Sequence, residues 1–172
     1  MKRLLGVGLV VGVGLSGCVP PCGVDELEPN DTEAADLGVF SDAESSVELD
    51  LSLHDDTDVD VMRFDVIDQG SDGNPEITLN IDSYDAAVEV EVLFQCESGP
   101  LLTFSCDGAR LRDSGAVGCI NQDMGRRTIV LNYDCDSPDI FSDEDNSSVE
   151  VRVTKLSNEQ VCQPYRFEVF VD

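Results

Sequence analysis

Tryptophan is absent, histidine occurs once, as His54, and aromatic side chains make up only 6% of 172 residues. A stacking platform for sugars or for fibrous protein ligands is therefore not visible. Basic side chains are scarce too, 10 against 36 acidic ones, for a formal net charge of −26. A surface this negative repels nucleic acid and anionic headgroups while favouring solubility and divalent cations, so nucleic-acid binding is excluded. There is no Gly-x-Ser-x-Gly and no Gly-rich phosphate loop. With a lone histidine in the loop His54-Asp55-Asp56, nucleophilic and phosphoryl chemistry lack their parts. The expectation is a protein that is not an enzyme. The enzymatic alternative is a small carboxylate-based hydrolase, because paired carboxylates suffice for that chemistry.

What is present begins with MKRLLGVGLVVGVGLSGC. Lys2 and Arg3 precede an apolar run from Leu4 to Leu15, which is shorter than the roughly 20 residues a membrane span needs and is followed by small residues, the grammar of a signal peptide. Leu15-Ser16-Gly17-Cys18 resembles the bacterial lipobox. The resemblance implies a signal peptide over 1–17, lipidation of Cys18, and attachment to the membrane by acyl chains. An ordinary secretory signal would keep the export and lose the anchor. Removing Lys2 and Arg3 leaves the exported chain still more acidic. Residues 18–25, stiffened by Pro20 and Pro21, form a short tether that holds the domain close to its membrane. Val19 is not the aspartate that marks inner-membrane retention in some bacteria, which favours the outer membrane.

Cysteine usage agrees with export. Of the 7 cysteines, setting Cys18 aside leaves Cys22, Cys96, Cys106, Cys119, Cys135 and Cys162. In an oxidising compartment these read as disulfide partners, with the pairing left open by sequence. Cys96 with Cys106 is weakly favoured, through a looped connection. Among these six none has the spacing of zinc ligands, and a single histidine cannot complete a zinc-finger pattern.

The rest of the chain reads as strands: 47–53, 59–67, 76–82, 87–96, 101–106, 127–135, 149–156 and 165–171. Most alternate with period two or are rich in β-branched residues, and Gly, Pro, Asn and Asp punctuate them. About eight short strands predict an all-β, antiparallel, jelly-roll-like sandwich stapled by disulfides. Residues 107–122 and 136–148 are expected as long polar loops. Within Asp58-Val59-Asp60-Val61-Met62-Arg63-Phe64 the apolar positions change parity near residue 61. That change predicts a bulge or the true strand entry, with Asp58 and Asp60 at the rim.

Glu28-Pro29-Asn30-Asp31-Thr32 with Ala34 and Leu37, followed by Asp58-x-Asp60-x-x-x-Phe64, resembles the bacterial pre-peptidase C-terminal domain. Residues 149–153 and 165–169 are similar to that family's last two strands. The likeness spans 26–172, and its specific part is confined to 26–66. Met62 stands where the family usually has an aromatic residue, and the middle carries additional cysteines and a loop. The resemblance implies a β-sandwich that accompanies secreted hydrolases and usually lacks activity. In collagen-binding relatives it implies a calcium site. Matched residue by residue, Glu26, Glu28, Asn30, Asp58 and Asp60 would supply the ligands. The chemistry is reasonable by itself, since calcium takes about six to eight oxygens and an extended segment sets residues 26, 28 and 30 on one side. The other reading is that Asn30 or Asp31 caps a short helical turn through Ala34 and Asp36, the remaining acids being solvated surface. An EF-hand beginning at Asp56 fails, because Val61 and Ile67 occupy its glycine and glutamate positions. The expected role is a non-enzymatic binding or assembly module for an envelope or extracellular protein or polysaccharide. A purely structural envelope protein is the other non-enzymatic reading.

Overall fold

The structure, a computed structural model, describes residues 23–43, 45–55, 57–69, 73–83, 87–97, 99–113, 115–123, 125–136, 145–156 and 162–172. The expected signal peptide, Cys18 and Cys22 lie outside the described residues. Eleven strands and no helix occur among those described. They are β1 Ala35–Ser41, β2 Ser45–Leu53, β3 Val59–Ile67, β4 Glu76–Ser83, β5 Val88–Cys96, β6 Leu101–Asp107, β7 Arg110–Leu111, β8 Gly118–Asn121, β9 Gly125–Cys135, β10 Ser147–Lys155 and β11 Gln163–Val171.

Two sheets pack face to face. One has the order β1-β3-β10-β5-β8-β7, the other β2-β11-β4-β9-β6. All neighbours are antiparallel except β1 and β3. The eight longer strands apart from β1 interleave as a jelly roll does. Counting those eight in chain order, one sheet runs first, eighth, third, sixth, and the other second, seventh, fourth. The departure is β6, the fifth of them, which pairs with β9 while β8 takes the place beside β5.

Period-two alternation builds the core. Val88, Val90, Val92 and Phe94 of β5 face inward, as do Val149, Val151 and Val153 of β10 and Phe167, Val169 and Val171 of β11, all buried. Outward positions carry charge, as with Glu150 and Arg152. Each fully buried aliphatic or aromatic side chain contributes about 1.5 to 3 kcal/mol, and this central stack supplies most of the driving force.

Several sequence expectations change here. The segment after Asp31 is an edge strand, β1, and not a helical turn. It pairs parallel with β3 and slips register between Asp36 and Val39, where Gly38 takes φ 89°. Phe40 then packs edge-on against Phe64 at 5.2 Å. The expected loop 107–122 contains β7 and β8. Only 2 and 4 residues long, they are too short to show a period. A Cβ on Gly118 would meet the Val92 carbonyl oxygen at 1.9 Å, so this position admits β8 beside β5 only as glycine. Gly118→Ala is expected to lower stability by at least about 1 to 3 kcal/mol, as overpacking does, measured by chemical denaturation.

The parity change near residue 61 is not a bulge. The β3–β10 ladder runs without a slip from Val59–Thr154 to Val66–Ser147. Asp60 is fully buried in line with Met62, Phe64 and Val66, and Val61 is buried on the opposite face. The pattern broke because a carboxylate occupies a core-facing position.

The cysteines correct the hairpin expectation. β5 and β6 belong to different sheets, so Cys96 and Cys106 never face each other along a ladder. Cys96 bonds Cys135, with Cα atoms 5.9 Å apart, and Cys106 bonds Cys119, at 6.3 Å. Each bridge ties one sheet to the other. Cys162 is disulfide-bonded as well.

Candidate metal centre

Residues 23–34 cross the end of the sandwich where β2 finishes and β3 begins. Three of their acids, Asp25, Glu28 and Asp31, accept backbone N–H groups. Asp25 accepts the Leu27 N–H (3.0 Å) and, with its other oxygen, the Ser52 N–H (2.9 Å), while the Ser52 hydroxyl donates to the Gly23 carbonyl at 2.7 Å. Asp31 accepts the Val59 N–H at 3.1 Å, and Glu28 Oε2 accepts the Asn30 N–H at 3.0 Å. The acidic run is thus neither a solvated linker nor a helix cap. Its side chains terminate the free N–H groups at the end of β2 and the start of β3.

That docking brings Glu28 against the β2–β3 connection. His54 and Asp58 flank this short loop four residues apart, and Asp58 Oδ2 accepts the His54 backbone N–H. His54 Nδ1 lies 2.5 Å from Asp58 Oδ2 and 3.1 Å from Glu28 Oε1. One donor atom from each of the three falls within 4.8 Å of the others. The Asp58 side chain is 0% exposed and that of Glu28 6%, whereas His54 keeps 28%. Behind this group Asp60, 0% exposed, accepts the Tyr165 hydroxyl at 2.6 Å from across the sandwich. The carboxamide of Asn30, also fully buried, faces Asp60 and favours its ionised form without reaching hydrogen-bond alignment.

Glu28 Oε1, Asn30 Oδ1, Asp58 Oδ1 and Asp60 Oδ1 are buried with no hydrogen-bond partner. No described lysine or arginine forms an ion pair with Glu28, Asp58 or Asp60. Burial therefore dominates the electrostatics. It lifts Asp60 from 3.8 to about 7, only partly offset by the Tyr165 bond and with Asp25 and Asp58 adding repulsion. Asp58 rises to about 6 chiefly by desolvation, against the opposing pull of the His54 N–H and imidazole. Desolvation lowers the His54 pKa, but Asp58, Glu28 and Asp55 together outweigh it and raise the value. Compared with protein-family models, curated proteins and solved structures, the chain finds no match. The site has to be judged on its own chemistry.

Among the other described residues buried charge is mostly provided for, although Asp42 Oδ1 also lacks a hydrogen bond. Arg127 donates to the Val88 carbonyl (2.9 Å), the Ser83 hydroxyl (2.7 Å) and the Gly125 carbonyl (3.3 Å). At the opposite end of β3, Asp68 accepts the Asp145 N–H at 3.0 Å, Asp145 accepts the Cys135 N–H, and Tyr133 accepts the Ser147 hydroxyl at 3.1 Å. The β2–β3 end differs in leaving several oxygens of neighbouring residues unmatched.

Of the residues expected as ligands, Glu28 and Asp58 sit in the three-donor group, and Asn30 and Asp60 are buried immediately behind it. Glu26 is exposed and takes no part. In an extended segment it would have shared a side with Glu28, but residues 26–27 form a turn. His54 was not among the expected ligands. Its signal in the sequence was the His54-x-x-x-Asp58 spacing across a connection too short to carry either side chain away.

Proposed function

We propose that the chain is an exported, lipid-anchored protein whose acidic β-sandwich serves as a non-enzymatic binding or assembly module at the bacterial envelope, on the outer membrane. In this reading a divalent cation stabilises the β2–β3 end. One observation carries the cation: four buried oxygens without a hydrogen bond, from Glu28, Asn30, Asp58 and Asp60, in a place where no described lysine or arginine pairs with them and His54 is the basic neighbour. Burying unpaired carboxylates costs several kcal/mol each, and a cation that accepts all of them removes the cost. The oxygens by themselves suit calcium, in keeping with the resemblance to the pre-peptidase C-terminal domain.

The non-enzymatic part is supported by the scarcity of catalytic parts; a concavity of about 130 Å³ that does gather carboxylates, Glu48, Asp82 and Glu168, also holds Arg126 and Arg166, the latter paired with Glu48. A concavity of about 330 Å³ is lined by Asn74, Pro75, Thr103, Phe104, Ser105, Asn132 and Tyr133 and holds no carboxylate pair. Neutral polar groups of this kind suit contact with a protein or polysaccharide better than acid-base chemistry. Melting the protein in chelator and then with millimolar calcium tests the cation. Saturation at about 100 times the dissociation constant adds about 2.7 kcal/mol, equivalent to roughly 5 to 10 °C for a chain of this size. Asp60→Ala and Glu28→Ala should abolish the shift. An unchanged melting temperature in the parent chain, with calcium or any other divalent ion, would overturn the cation. Turnover in a hydrolase panel that disappears in Asp58→Asn would overturn the non-enzymatic reading.

A further inference from the structure

The reading of the β2–β3 end as a cation site leaves open which class of ion it selects, and His54 bears on that choice. We infer that Glu28 Oε1, His54 Nδ1 and Asp58 Oδ2 form a nitrogen-containing site for a borderline transition metal of the zinc class, preferred there over calcium. The inference rests on the cation reading above and adds selectivity to it.

Calcium and magnesium take oxygen, whereas imidazole nitrogen suits zinc, copper, iron and nickel. The three donors converge within 4.8 Å, and His54 Nδ1 is the atom aimed between the two carboxylates. The other ring nitrogen, Nε2, faces Asp55 Oδ2 at 3.7 Å. A carboxylate on the distal side is the usual outer partner of a metal-bound histidine, and Asp55 stands on that side of the ring, just beyond hydrogen-bond distance. Without an ion, a proton on Nδ1 bridges to Asp58 Oδ2; a metal ion would take that proton's place between the imidazole and the two carboxylates, since ligands give up protons to bind metal.

The second observation lies deeper. Asp58 Oδ1 and both polar atoms of Asn30 are buried and unpartnered, so the group is not a solvated acidic patch whose charges are met by water. Two carboxylates and one imidazole leave the fourth position of a tetrahedral zinc ion to a water or to a further oxygen from this end of the fold. The 28% exposure of the His54 side chain gives an ion a route in from solvent.

The test uses the untagged chain solubilised in detergent, stripped with chelator and titrated calorimetrically with zinc chloride or calcium chloride at pH 7. Because His54 is the sole histidine, its imidazole nitrogen resonances report on ligation without assignment work. We expect one zinc per chain, bound at least about tenfold more tightly than calcium, with a shift of the Nδ1 resonance that calcium does not produce. His54→Gln should weaken zinc at least about tenfold, given that even outer partners of a ligand are worth that much. It should leave calcium binding little changed. Calcium binding tighter than zinc, or zinc binding indifferent to His54→Gln, would overturn the inference while the cation reading survives. If neither ion bound the folded protein, both would fall together.

Discussion

Stripped of divalent cations, the protein should be most stable in mild acid and should weaken as pH rises through neutrality. The sign follows from the three groups at the β2–β3 end. Asp60 has a folded pKa of about 7 against 3.8 for an ordinary aspartate, so between those values the folded state holds a proton that the unfolded chain has released. Stability then falls with increasing pH, and Asp60 alone removes on the order of 4 kcal/mol between about pH 4 and pH 7. Asp58, raised to about 6, acts in the same direction over a lower window. His54, also raised, contributes stability that is complete below its unfolded pKa and is lost as pH passes its folded one. Denaturant titrations in chelator at stepped pH would display the slope, and Asp60→Asn should flatten most of it. Adding the preferred ion at pH 8 should restore what deprotonation removed, since metal and proton compete for the same oxygens. Stability that instead rose steadily from pH 4 to pH 8 in chelator would mean that the buried oxygens are solvated in solution.

The other large effect is expected from the cystines. The Cys96–Cys135 bridge closes a loop of 39 residues and the Cys106–Cys119 bridge one of 13. Chain-entropy arithmetic assigns about 4 and about 3 kcal/mol to them. Both lie on the same flank, joining β5 and β8 of one sheet to β9 and β6 of the other. Replacing Cys96 and Cys135 together by serine should therefore cost about 4 kcal/mol by denaturant melts of the oxidised protein. The Cys106–Cys119 pair should cost less. Removing it should chiefly loosen β7 and β8, visible as faster amide exchange in residues 110–121, because these short strands have few other ties. Equal and small losses from both double substitutions would show that the sheets hold together by their core alone.

Most of the architecture was legible because it depends on local period. The bounds of β3 coincide with the expected 59–67, and the other seven expected strands are found within one or two residues of their limits. β1, β7 and β8 were not legible for distinct reasons. β1 has a register slip at Gly38 that scrambles its alternation, and β7 and β8 are shorter than any period can reveal. The disulfides could not be read because they join strands that the crossing at 97–100 sends to opposite sheets. That crossing carries the same turn residues as a hairpin.

The site divides in the same way. Sequence by itself determined that acids gather near residues 28 and 58, that base is scarce and that the chain alternates in pairs, since composition and period are properties of neighbours. Ligand spacing measured along the chain disfavoured zinc, since it offered one histidine and no paired cysteines among the six. Only the tertiary structure decided that His54 stands between Glu28 and Asp58, that Glu26 turns away, and that Asp60 points into the core to meet Tyr165. Those outcomes depend on two sheets closing at one end and on a docked segment laid across it. Distances of a few ångströms between residues 26 to 105 positions apart exist only after the core has formed.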